Sequence, residues 1–68
     1  MRELKLKGNG YTATVTLENI TNIYLDDDEI VIEYRHGGWL IGLPTECFDF
    51  ETVRNSIIQA INEIVESI

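Results

Sequence analysis

ELKLKGNGYTATVTL, residues 3–17, reads as a β-hairpin and decides the architecture. Leu4 and Leu6 alternate with Lys5 and Lys7. Tyr11, Ala13, Val15 and Leu17 alternate with Thr12, Thr14 and Thr16. A period of two is the mark of a half-buried strand. Gly8-Asn9-Gly10 separates the two runs, and Asn-Gly is the strongest short hairpin signal. A type I′ turn at Asn9-Gly10 sets Leu6 opposite Ala13 and Leu4 opposite Val15, with Lys5 and Lys7 opposite Thr14 and Thr12. All the apolar residues then share one side, and a slip of one residue would mismatch each pair.

Downstream the same inner face can be followed through three more strands. A five-residue connection, Glu18 to Asn22, brings Leu17 opposite Ile23 and Val15 opposite Leu25. The third strand runs from about Ile23 to Leu25. Asp26-Asp27-Asp28-Glu29 makes the next turn, because aspartate bonds its own backbone and is poor in strands. The fourth strand, Ile30 to Arg35, points Ile30, Ile32 and Tyr34 inward. A Gly37-Gly38 turn then pairs His36 with Trp39, Tyr34 with Ile41 and Ile32 with Leu43. Pro44 ends the fifth strand because it has no N–H for the ladder.

Asp49 is the helix N-cap, and Phe48 staples onto Val53. At helical spacing Phe50, Val53, Ile57, Ala60, Ile61, Ile64 and Ile68 form one stripe. The expected fold is therefore α+β, a single domain over residues 1–68. An antiparallel β-meander of about five strands packs against one C-terminal α-helix.

The chain has 68 residues, 44% of them hydrophobic and 25% charged, which suits one small globular domain. Twelve acidic and five basic residues give a net charge of −7. Phosphate binding needs clustered Lys and Arg, and only Arg2, Lys5 and Lys7 lie close together, apart from Arg35 and Arg54. The composition argues against direct nucleic-acid binding and against attraction to an anionic membrane. It fits attraction to proteins that themselves bind nucleic acid. A single cysteine, Cys47, makes no internal disulfide, and the charged N-terminus shows no apolar signal region. Both features point to the cytoplasm. The apolar runs fall far short of the roughly 20 residues a membrane helix needs. There is no repeat and no linker.

Chemistry-bearing residues are few. The consecutive acids Asp26, Asp27, Asp28 and Glu29 splay on a hairpin tip and lack the alternating spacing of a calcium loop. They read as a solvated turn that also guards a strand edge, or as an acidic contact for a basic partner. His36 has no second polar group in view for acid–base work. With Trp39 it makes an aromatic hairpin tip suited to partner contact. Cys47 lies near the helix start, but the Asp49 carboxylate opposes a thiolate, so it reads as a buried structural thiol. The Gly-rich stretches join strand to strand, so neither is a phosphate loop. No enzyme, metal or cofactor is expected.

Two surfaces look too apolar for a lone monomer. Ile58 and Val65 widen the helix stripe to roughly 160°, where about 100° is usual, and Arg54 projects from the same shoulder. Tyr24 and Val31 stand opposite each other on the outer sheet face, with Leu40 one strand over. The sequence therefore points to an interaction module. In size and charge alone, with no shared motif, it is similar to the small acidic anti-restriction and anti-CRISPR proteins of phages and mobile elements. The expected mode is inhibition, with Asp26, Asp27, Asp28 and Glu29 standing in for phosphates on a basic protein surface and Tyr24, Val31, His36 and Trp39 adding aromatic and apolar contact. The alternative is a structural or assembly subunit that homodimerises through Arg54, Ile58 and Val65, with Arg54 meeting Glu51 or Glu66 of the second copy.

Overall fold

The structure, a computed structural model, describes residues 2–35 and 40–66, and the side chains of those residues as far as Val65. Among the described residues five strands precede one helix: β1 Glu3–Gly8, β2 Tyr11–Thr16, β3 Ile20–Asp26, β4 Glu29–Tyr34, β5 Leu40–Pro44 and α1 Phe50–Glu66. The class is the expected α+β, with antiparallel pairing throughout. The strands divide into two sheets, β1-β2 and β3-β4-β5.

The first hairpin has the register its alternation predicts, with Leu4 opposite Val15, Leu6 opposite Ala13 and Gly8 opposite Tyr11. The turn differs in detail. Gly10 has φ 70° and Asn9 does not take a positive φ, so the turn is not type I′. A two-residue loop fixes the pairing whichever turn type closes it.

β2 and β3 are not paired among the described residues, contrary to the expected single meander. Asn19 takes a left-handed φ of 68° just after β2 and redirects the chain. Its carbonyl accepts from the Arg35 N–H at 2.8 Å, so β3 starts at once on its new partner. Three residues expected in the loop, Ile20, Thr21 and Asn22, lie in β3, and a bulge between Ile20 and Asn22 absorbs the extra residue. Both sheets turn their inner faces to one core.

β4 and β5 pair Ile32 with Ile41 and Ile30 with Leu43, two residues away from the expected register. An even slip leaves each side chain on its own face, so the apolar pattern is silent about it. The core joins Leu6, Val15 and Leu17 from the first sheet to Ile30, Ile32, Tyr34 and Leu43 from the second. Phe48, Val53 and Ile57 complete it from the helix side, with Phe50, Ala60, Ile61 and Ile64 half-buried around it. The helix begins as its sequence predicts. The Asp49 carboxylate accepts from the Thr52 N–H at 3.0 Å and from the Thr52 hydroxyl at 2.9 Å. Phe48 and Val53, the two ends of the staple, are both buried. Among the described residues no helix is long and apolar enough to cross a membrane.

Candidate interaction surface

The acidic turn forms the tip of the β3–β4 hairpin. Asp26 and Glu29 are the last paired residues, which leaves Asp27 and Asp28 as the loop. Asp27 holds a left-handed φ of 53°, a conformation that aspartate tolerates better than most residues. The Asp28 carbonyl is tied down by Thr45, whose N–H and hydroxyl donate to it at 2.9 and 3.1 Å. The backbone of the tip is thus anchored to the end of β5, while all four acidic residues remain exposed. Leu25, immediately before them, is 52% exposed.

Glu29 serves a second purpose. Its carboxylate lies over Gly42 on β5, in the space a Cβ at that position would occupy. Val31 follows two residues along on the same outer face, between Tyr24 on one side and Gly42 on the other. Tyr24 and Val31 are opposite each other as expected, but Val31 is only 5% exposed. The contact expected of Val31 is therefore corrected. The side chain is on the predicted face, yet its neighbours leave almost none of it to a partner. Strand alternation assigns a face and says nothing of what bends over it.

Tyr24 remains half-buried and reachable. Its hydroxyl donates to Glu33 Oε2 at 3.3 Å. Partial burial, followed by the nearby carboxylates of Glu33 and Asp26, holds the phenol above its ordinary pKa. Tyr24 is thus a neutral hydrogen-bonding aromatic set among acids. Leu40 faces Glu33 on β5 and is 58% exposed. His36 and Trp39 lie outside the described residues.

The helix shoulder is placed as its periodicity predicts. Arg54, Ile58 and Val65 are exposed beside the buried stripe, Ile58 by 38% and Val65 by 63%. Glu51, one expected partner of Arg54, is exposed in the first helical turn, and the side chain of Glu66 lies outside the described residues. The whole shoulder sits on α1, and the acidic tip sits between β3 and β4, so the two surfaces belong to different elements.

Cys47, expected to be buried, is only half-buried in the connection from β5 to α1. Its N–H donates to the Pro44 carbonyl at 3.1 Å, and its carbonyl accepts from the Asn9 N–H at 2.9 Å. Among the described residues no group of three His, Cys, Asp or Glu side chains is arranged to hold a metal ion. No family model, no curated protein and no solved structure matches the chain.

One surface escaped the sequence reading. A groove of about 490 Å³ runs between β1 and the first turns of α1, with Leu4, Leu6, Phe48 and Val53 among its walls. Nothing in the strand or helix pattern says where the helix lands relative to a strand edge, so no local signal foretells it.

Proposed function

We propose that this chain is a non-enzymatic interaction module that docks an acidic, partly apolar surface onto a basic partner protein. One observation carries the reading. Four consecutive exposed carboxylates sit on a backbone-anchored hairpin tip, with exposed Leu25 and half-buried Tyr24 beside them. The three clustered bases, Arg2, Lys5 and Lys7, stand on or beside β1 in the other sheet, so they do not neutralise the tip by sharing its strands.

The physics suits a protein that blocks a nucleic-acid-binding groove. Carboxylates at successive hairpin positions offer several anionic contacts to Lys and Arg that otherwise hold phosphates. A negative field also speeds encounter with a positive groove. Apolar anchoring by Tyr24 and Leu25 adds affinity that salt does not screen. A narrow tip with a fixed backbone pays little ordering entropy on docking.

The experiment is a salt-resolved capture from a host extract on the immobilised chain, run beside a chain carrying Asp26→Asn, Asp27→Asn, Asp28→Asn and Glu29→Gln. The reading expects a basic protein that elutes as ionic strength rises from about 50 to 500 mM. It also expects free DNA or RNA to compete and the neutralised chain to retain none of it. Retention that ignores salt, or equal retention by the neutralised chain, overturns the reading.

A second reading rests on a separate observation, the exposure of Ile58 and Val65 beside Arg54 on one shoulder of α1. We infer from it a structural subunit that homodimerises helix to helix. Apolar side chains at the centre of such an interface, with arginine at its rim, match the usual make-up of protein contacts.

A further inference from the structure

We propose that the free edge of β1 is a docking strand for an extended peptide that alternates acidic and apolar residues. The inference follows from the phase of the β1–β2 ladder. The Leu17 N–H donates to the Arg2 carbonyl at 2.9 Å, so Arg2 and Leu17 form a hydrogen-bonded pair. In an antiparallel ladder such pairs recur at every second residue. Leu4, Leu6 and Gly8 therefore share hydrogen bonds with β2, and Lys5 and Lys7 turn their N–H and C=O groups to the opposite edge. Asn9 has the same parity as Lys5 and Lys7. Its N–H does leave the hairpin, for the Cys47 carbonyl.

Among the described residues no other strand covers that edge: β1 pairs with β2, and beside it lies the groove shared with α1. The groove follows residues 4 to 9, about 17 Å at the antiparallel rise of about 3.4 Å per residue. The Asn9–Cys47 bond is already one rung of this missing strand, at the closed end. An incoming peptide that continued the rungs would exchange hydrogen bonds with Lys5 and Lys7. Its residues opposite them would point to the exposed face, where the two ammonium groups are. The residues between would point inward, toward Leu4, Leu6, Phe48 and Val53.

Charge chooses the occupant. In a chain of net charge −7, the exposed row of β1 carries Lys5 and Lys7 two residues apart, with Arg2 just before the strand and one acid, Glu3, at its first position. An acid–apolar–acid segment places one carboxylate against each lysine, and cross-strand pairs of opposite charge favour that register. A second copy of β1 is the competing occupant. Edge lysines are a common defence against such self-pairing, and the register centred on Leu6 sets each Lys5 against Lys7 of the copy. Strand addition of this kind draws affinity from the main chain and specificity from alternate side chains.

The test uses a blocked heptapeptide of alternating glutamate and valine, titrated into the isotopically labelled chain to about 2 mM by NMR. The expected result is amide shifts and new exchange protection at Lys5 and Lys7, with Leu4 and Leu6 already protected beforehand. N-methylation of the glutamate amides should abolish binding, and N-methylation of the valine amides should leave it. The Lys5→Glu, Lys7→Glu chain, altered only at exposed positions, should bind at least fivefold more weakly. No shift at Lys5 or Lys7, equal binding of a lysine–valine peptide, or indifference to N-methylation overturns the proposal. So does protection of the two amides that rises with protein concentration alone, which assigns the edge to a second copy.

Discussion

The Tyr34 hydroxyl donates a 2.6 Å hydrogen bond to the Thr16 carbonyl. Tyr34 ends β4 and Thr16 ends β2, so this bond joins the two sheets at the point where their ladders part. The ring of Tyr34 is buried in the common core while its oxygen serves the backbone of the other sheet. One side chain thus fills the core and satisfies a polar group at the seam.

Tyr34→Phe keeps the ring and removes the donor. The Thr16 carbonyl then loses its partner at the seam, which costs about 1–2 kcal/mol. Denaturant unfolding should show the midpoint falling with an unchanged slope, since little buried area is lost. A midpoint equal to that of the parent chain would show that the seam is held by packing alone.

The same residue should make the chain weaken in alkali. Burial pushes the Tyr34 phenol above its ordinary pKa of about 10. The folded chain therefore holds the phenolic proton more tightly than the unfolded chain does. That contribution is complete below pH of about 10 and is lost as pH climbs through the raised folded-state value. The stability gap between the parent chain and Tyr34→Phe should accordingly narrow above pH of about 10. A gap that stays constant from pH 8 to 11 rejects this assignment.

Gly8 and Gly10 should respond differently to alanine. A Cβ on Gly8 would collide with the Cys47 carbonyl and lie 2.9 and 3.0 Å from two Phe48 ring carbons. The carbonyl belongs to the backbone that also holds the Asn9 N–H, so neither side yields cheaply, and overpacking of this kind costs roughly 1–3 kcal/mol. A Cβ on Gly10 meets nothing within 4 Å, and its cost is only the left-handed φ of 70°, about 1 kcal/mol. Gly8→Ala should thus lower the unfolding midpoint more than Gly10→Ala and expose the Asn9 amide to exchange. The reverse order would mean that the hairpin tip is not clamped to the helix connection.

These contacts also mark how far the sequence could be read. The register of the first hairpin was legible to the residue, though its turn type was not, because parity and a two-residue turn together leave one register. The cap at Asp49 and the buried stripe through Val53 and Ile57 were equally legible from helical spacing. The β4–β5 register was not, since an even slip moves no side chain from its face. The separation of the sheets hangs on the backbone of Asn19, a residue that fits a loose loop as well as a sharp turn. At the candidate surface, the acidic tip could be read directly from four adjacent carboxylates. The burial of Val31 could not, because alternation assigns only a face, and the open edge of β1 could not, because it depends on where the distant helix lands.

The helix shoulder offers the sharpest division between a partner surface and ordinary exposed apolar area. Ile58→Asp and Val65→Asp alter side chains that are exposed, on an element whose core face is carried by Val53 and Ile57. On a monomer such changes shift stability within about 0.5 kcal/mol either way. In a helix-to-helix dimer each aspartate is buried in an apolar contact and the second copy is lost. The homodimer reading expects the parent chain to sediment at twice its mass, with a melting temperature that rises with concentration. Both aspartate variants should sediment as monomers. Ile57→Ala, which empties a fully buried position, should cost about 2–5 kcal/mol of stability without itself removing the shoulder contact. A parent chain that is monomeric at millimolar concentration, with both variants melting as it does, would return the shoulder to solvent.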